Sequence, residues 1–454
     1  MKSRATLFYL AALFLLQTLV CPVAAEETKT IAPLELPRVE ASFEPPYYST
    51  TYEQPTEPKE GQLQIGVTYT LWIPEGLKEV RGMIVHQHGC GSGSCTGSVT
   101  AAHDLHWQEL ARKNGCALLG PSFHQAEKQN CRLWCDPRNG SSKVFVESLQ
   151  KLAKLSGHPE VATAPWCLWG HSGGGFWSSL MQMEYPERIV AIWFQSGTAY
   201  GYWTNDEITA PEIPEAAMQI PMVANPGLKE KENKRFSRAW TGSLAMFKDY
   251  RSKGAPIAFA PDPRTGHETG DSRYLAIPFF NACLQQRLPD KVGAPLKAVE
   301  ISKGWLSPLL SETMPVPYDQ FEGDKTEANW LPDKAVALAW LDFVKTGAVS
   351  DKTPPPAPTD VKVDAATGTI TWKAGTDFES GIQAFLIQRD GKQIGQLPEK
   401  PTNRFGRPLF QNMSYGDTPV LPLQKFEFVD KTANPGQQYD YQVKAVNTAG
   451  LQSK

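Results

Sequence analysis

After its first 25 residues the chain has no apolar run long enough to cross a bilayer as a helix. Charge of one sign is missing too. The 454 residues carry 45 Lys and Arg against 48 Asp and Glu, a net charge of −3. That balance gives no case for a nucleic-acid partner or an anionic membrane surface. Metal-ligand spacing is also lacking: no paired Cys-x-x-Cys set occurs and no histidines stand at matching positions, so a zinc site is not expected. What remains is ordinary for a globular protein, with 41% hydrophobic and 20% charged residues. The length allows two or three domains.

The first 25 residues are different. Lys2 and Arg4 precede an apolar run from Leu7 to Leu19, and Val23-Ala24-Ala25 makes a small-residue cleavage site. They predict a signal peptide over residues 1–25 and a secreted or periplasmic mature protein with no membrane span. A lipoprotein cut before Cys21 is the alternative, although Val20 is a poor residue upstream of such a cut. Seven cysteines follow: Cys90, Cys95, Cys116, Cys131, Cys135, Cys167 and Cys283. In an oxidising compartment some should pair, and the odd number leaves at least one free thiol. Cys90 and Cys95 flank a short loop, as do Cys131 and Cys135, so each suits a local bridge. The connectivity stays open.

Residues 26–60, rich in Pro, Glu and Thr, read as an extended lead-in. From Gln62 to Pro74, Ile65, Val67, Tyr69 and Leu71 alternate with polar neighbours, the pattern of a half-buried strand. Short apolar runs at Met83–Val85, Cys116–Leu119, Trp166–Trp169, Ile189–Phe194, Gln219–Ala224 and Ala255–Ala260 predict further strands. Between them, Leu105–Asn114, Phe145–Leu155, Phe176–Tyr185 and Leu244–Lys253 read as helices, and Pro332–Lys345 as a closing one. Strands alternating with helices imply a mostly parallel sheet covered on both faces, over residues 61–348. A proline-rich stretch, 349–358, then reads as a semi-rigid spacer. Beyond it, residues 359–454 carry short alternating strands and turn pairs such as Asp390-Gly391, which argue a small all-β sandwich.

One stretch organises the chain. The apolar strand Trp166–Trp169 runs into Gly170-His171-Ser172-Gly173-Gly174, and a helix-compatible segment follows. Strand, Gly-x-Ser-x-Gly, helix resembles the nucleophile elbow of the α/β-hydrolases, in which a sharp turn lifts a serine Oγ above the sheet. That resemblance makes Ser172 the candidate nucleophile. It also implies an acid and a histidine later in the chain, in that order. One histidine follows Ser172: His267, in Arg264-Thr265-Gly266-His267, just past the last expected strand. It is the candidate base. Many members of the family carry a glycine after the preceding strand with the acid three residues later, which lands on Glu230. Glu232 and Asp206 are the alternatives. For the oxyanion hole the resemblance implies the N–H of Gly173 and one from His88-Gly89-Cys90-Gly91, with Cys90 the donor and His88 shaping the loop.

Residues from about 60 to 348 are similar to the secreted polyhydroxybutyrate depolymerase and feruloyl esterase group, on His88-Gly89-Cys90, the elbow and Gly266-His267. The stretch after the proline run resembles a fibronectin type III domain, on Trp372 and Tyr439-x-Tyr441-x-Val443-x-Ala445. It departs in the long segment Pro398–Leu423 and in stopping at Lys454, where a last strand should continue. The resemblance implies hydrolysis of a carboxylic ester through an acyl-enzyme, with no metal or organic cofactor and with a polymeric ester, polysaccharide or polyester, as one class of substrate. Trp134, Trp177, Trp203 and Trp240 are candidates to stack on a sugar or aryl group, core packing being the plainer role for each. Two rivals stand: a peptidase of the prolyl-oligopeptidase kind, and a non-catalytic glycan-binding protein on a hydrolase scaffold.

Overall fold

The computed structural model describes residues 34–39, 44–403 and 405–454. The expected signal peptide lies outside the described residues. Eight strands form the main sheet: β1 (Tyr47–Tyr52), β2 (Val67–Trp72), β3 (Gly82–Gln87), β4 (Cys116–Phe123), β5 (Trp166–His171), β6 (Ile189–Gln195), β7 (Met222–Asn225) and β8 (Ile257–Phe259), in spatial order β1-β2-β4-β3-β5-β6-β7-β8. From β4 to β8 every pairing is parallel, and β1 and β2 form an antiparallel edge. This is the sheet order of an α/β-hydrolase, with the crossover at β3–β4.

Both faces are covered, so side chains of one strand feed two separate cores. Trp166 and Leu168 of β5 enter the layer shared with the helices Ser141–Ser156, Gly173–Glu184 and Ser237–Ser252. Cys167 and Trp169 enter the opposite layer, under Leu105–Asn114, Arg273–Arg287 and Lys334–Thr346. The helix ends follow from local chemistry. Asp104 accepts from the amides of His106 and Trp107 at the start of its helix, and Gly115 closes it with φ 64°.

Within the expected lead-in, the extended strand β1 pairs with β2. One expectation needs correction, and one helix was not expected. β2 is not half-buried: Thr70 and Trp72 are as hidden as Val67 and Tyr69, because the strand sits inside the sheet with both faces covered. The helix Arg273–Arg287 had no counterpart in the sequence reading, and Pro278 inside it breaks the pattern that would have revealed it.

The C-terminal region holds two three-stranded sheets, Thr359–Asp364, Thr369–Lys373 and Glu427–Val429 in one, Lys392–Leu397, Ile382–Arg389 and Tyr441–Asn447 in the other. Ile370, Trp372, Phe385 and Val443 fill the space between. The proline stretch does not hold this sandwich at a distance. Asn447 Nδ2 donates to Asp351 Oδ2 and to the Thr353 carbonyl, both at 2.9 Å, pinning the connection to the sandwich. The long segment Pro398–Leu423 is what docks it. Asp417, fully buried, accepts from Arg407 Nη2 at 2.5 Å, from Arg273 Nη2 at 2.8 Å and from Trp107 Nε1 at 3.2 Å. Arg273 in turn is bidentate to Asp104, at 2.7 and 3.0 Å.

Candidate active site

Ser172 follows β5 directly and adopts φ 53°, ψ −111°, a strained conformation for a non-glycine residue. The glycines around it have specific causes. A Cβ on Gly170 would lie 2.4 Å from the Gly174 carbonyl oxygen, and one on Gly174 would lie 2.5 Å from the Gln87 carbonyl oxygen. The turn is thus closed by backbone on backbone, with no space for any side chain at either position.

The structure brings three candidates into one hydrogen-bonded chain. Ser172 Oγ lies 2.8 Å from His267 Nε2, and His267 Nδ1 lies 2.5 Å from Glu230 Oε1. Glu230 sits on the short turn Leu228–Glu232, fully buried, with its second oxygen accepting from the Gly227 N–H at 3.0 Å. Gly227 is required there, since a Cβ would fall 2.0 Å from the Gly266 carbonyl oxygen where the two loops press together. Glu232 and Asp206 are exposed and make no contact with His267.

The electrostatics favour an uncharged imidazole. Burial lowers the basicity of His267, and the positive charge of Arg235 lowers it further. Burial pushes the Glu230 carboxyl up, opposed by the Gly227 N–H and the Ser196 hydroxyl. A buried carboxylate at this distance selects the tautomer with the proton on Nδ1, leaving Nε2 free to accept from the serine.

Cys90 and Gly173 meet beside the serine: a Cβ on Gly173 would stand 3.4 Å from the Cys90 backbone nitrogen and 2.3 Å from its Sγ. Gly173 also opens the helix Gly173–Glu184, whose N-terminus favours negative charge. The Cys90 loop is fixed by a disulfide to Cys131 and by the Gly91 N–H donating to Gln125 Oε1 at 3.1 Å. This corrects the expectation of local bridges. The partners are 41 residues apart in sequence, and Cys95 and Cys135 are buried free thiols. The sulfurs of Cys90, Cys131 and Cys135 lie within 4.8 Å of one another, but the bond between two of them leaves one thiol and no metal set. His88 is buried and outside the cleft, its Nδ1–H donating to the Gly89 carbonyl and its Nε2 accepting from the Phe123 N–H.

The cleft over Ser172 has a volume of about 350 Å³. None of the four candidate tryptophans lines it; Trp134, Trp177, Trp203 and Trp240 are at most 5% exposed and belong to the core. The aromatic lining comes from Phe176, Tyr202 and Phe236, and Phe236 stacks flat on His267 at 3.8 Å. The sequence reading also missed His171, whose Nε2–H donates to the His267 carbonyl at 2.8 Å and so braces the loop of the base. Its place next to the serine was the available signal.

No protein-family model matches the chain, and no curated protein matches it. Solved structures similar to part of it include a thermostable esterase (15% identity, TM-score 0.34, covering 48% of this chain and 54% of that one). Poly(aspartic acid) hydrolase-1 from Sphingomonas sp. KT-1 is 19% identical, with TM-score 0.37 over 51% of this chain and 97% of that one. An S-formylglutathione hydrolase from Agrobacterium tumefaciens is 14% identical, with TM-score 0.34 over 53% and 93%. The chain spans about half the length of the thermostable esterase. With TM-scores of this size, the functional case rests on the geometry of the site.

Proposed function

We propose that the protein is an exported serine hydrolase that cleaves carboxylic esters through an acyl-enzyme. The hydrogen-bonded relay Ser172–His267–Glu230 carries this reading. His267 Nε2 takes the Ser172 proton as Oγ attacks the ester carbonyl. The imidazolium formed is stabilised by Glu230 and then protonates the leaving alcohol. The amides of Gly173 and Cys90 hold the oxyanion, and water, activated by the same base, releases the acid and restores the serine.

Export is supported by the N-terminal basic, apolar and small-residue sequence and agrees with a disulfide at the cleft rim. We read the sandwich as fibronectin type III-like from its strand order and Trp372. Esters on an extracellular polysaccharide or polyester are the substrates this combination favours. The test is turnover of p-nitrophenyl acetate, butyrate and ferulate by wild type and Ser172→Ala. Turnover that vanishes in the variant, by a factor of about 10⁵ or more, supports the mechanism. A folded wild type that cleaves no ester would overturn it in favour of a peptidase or a binding protein.

A further inference from the structure

The segment that supplies Glu230 is far more basic than the chain around it. Between Leu228 and Arg238 five cations, Lys229, Lys231, Lys234, Arg235 and Arg238, accompany two acids, Glu230 and Glu232, in a protein of net charge −3. Glu230 is buried against His267, so the solvent side of this segment is cationic. Arg235 and Arg238 reach the wall of the catalytic cleft, where Arg132 joins them from the disulfide-held loop. No Asp or Glu lines that cleft among the described residues.

The three guanidiniums are not equivalent. Arg132 and Arg238 share one acid at the rim, Glu207, at 3.7 and 2.7 Å, and both lie against the Tyr202 ring. Arg235 has no acid within ion-pair distance among the described residues. Its guanidinium rests 4.9 Å from the Phe236 ring, which is itself stacked on His267. An unpaired cation therefore stands one ring away from the base. Three cations against the one rim acid leave a positive excess at the cleft, with Glu268, outside the cleft lining, as the opposing charge that acts on His267. A cleft focuses such a field on whatever enters.

We propose that the ester substrate carries its own carboxylate, as a uronic acid acylated on a ring hydroxyl or a dicarboxylic half-ester does, and that Arg235 is the group that holds it. The planar guanidinium matches a carboxylate in two-pronged geometry, with Arg132 and Arg238 adding to the field. This rests on the serine-hydrolase reading and adds the charge class of the substrate.

The test compares two four-carbon acyl esters, p-nitrophenyl butyrate and the p-nitrophenyl half-ester of succinic acid. At low salt the wild type is expected to favour the succinyl ester in kcat/KM by about tenfold, the scale of one charge-assisted hydrogen bond. High salt should shrink the preference, Arg235→Gln should remove most of it through KM, and Glu207→Gln should enlarge it. Arg235→Gln should also move the acid limb of the pH profile to higher pH, because it removes a charge that opposes protonation of His267 and leaves Glu268, which favours it, without opposition from Arg235. If both esters are cleaved in a Ser172-dependent way at a ratio that neither salt nor Arg235→Gln alters, the anionic preference is wrong and the hydrolase reading stands. If wild type cleaves neither, the hydrolase reading itself fails.

Discussion

Glu230 and Asp417 are both fully buried carboxylates, and they are put to opposite uses. Asp417 faces permanent cations. Burial alone would raise its pKa, but Arg273 and Arg407 overcome that and hold it well below the ordinary carboxylate range. Glu230 faces a neutral imidazole, and its carboxyl is pushed up. A charge locked between guanidiniums can fasten a domain, whereas one beside an uncharged imidazole gains its full partner only when that ring takes a proton. The contrast separates structural from chemical polar burial within one molecule.

The sharpest way to break the contrast is to neutralise each acid without changing its shape. Glu230→Gln should lower kcat by about 10³–10⁴, since the tautomer of His267 is no longer fixed, and it should leave thermal unfolding almost unchanged. Glu232→Gln and Asp206→Asn should do nothing measurable to activity. If Glu230→Gln kept full activity, the acid assignment would be wrong.

Asp417→Ala reverses the pattern. It leaves Arg273 and Arg407 without part of their compensation at the seam between hydrolase and sandwich, and should cost about 3–5 kcal/mol in urea unfolding. Removal of residues 353–454 should be more damaging still, exposing Arg273 and Trp107, so the truncated chain is expected to be unstable rather than a free-standing enzyme. A soluble, active truncation would show that the sandwich is only a passenger.

A smaller effect sharpens the same point through pH. Asp417 has a depressed folded pKa, so its contribution is complete above the unfolded value of about 3.9 and is lost as pH falls through and below it. Wild type should therefore lose stability below about pH 4 more steeply than Asp417→Asn does.

Parts of this contrast were legible in the chain and parts were not. Ser172 could be read because its motif is contiguous: Gly170 is demanded by the Gly174 carbonyl within the same turn, and Gly174 by the Gln87 and His88 carbonyls of the neighbouring strand end. Glu230 followed from its spacing after Gly227, and the close approach of Gly227 to Gly266 supplies a physical reason for that glycine. Asp417 carried no such mark. It lies in a turn-rich segment where only Arg407 is a partner from the same stretch, and Arg273 and Trp107 reach it only through the tertiary fold. The Cys90–Cys131 bond was hidden for the same reason, as was the seating of Phe236 on His267. The four tryptophans misled because composition does not say which way a side chain faces; the cleft is lined by Phe and Tyr instead.

The central claim is that Ser172 is a nucleophile activated by His267 and Glu230. It is tested most directly by treating the protein with a fluorophosphonate probe and locating the adduct by peptide mass spectrometry. One adduct on the Ser172 peptide, absent in Ser172→Ala and formed far more slowly in Glu230→Gln, is the expected result. An adduct on another residue, or a folded wild type that takes none, would contradict it.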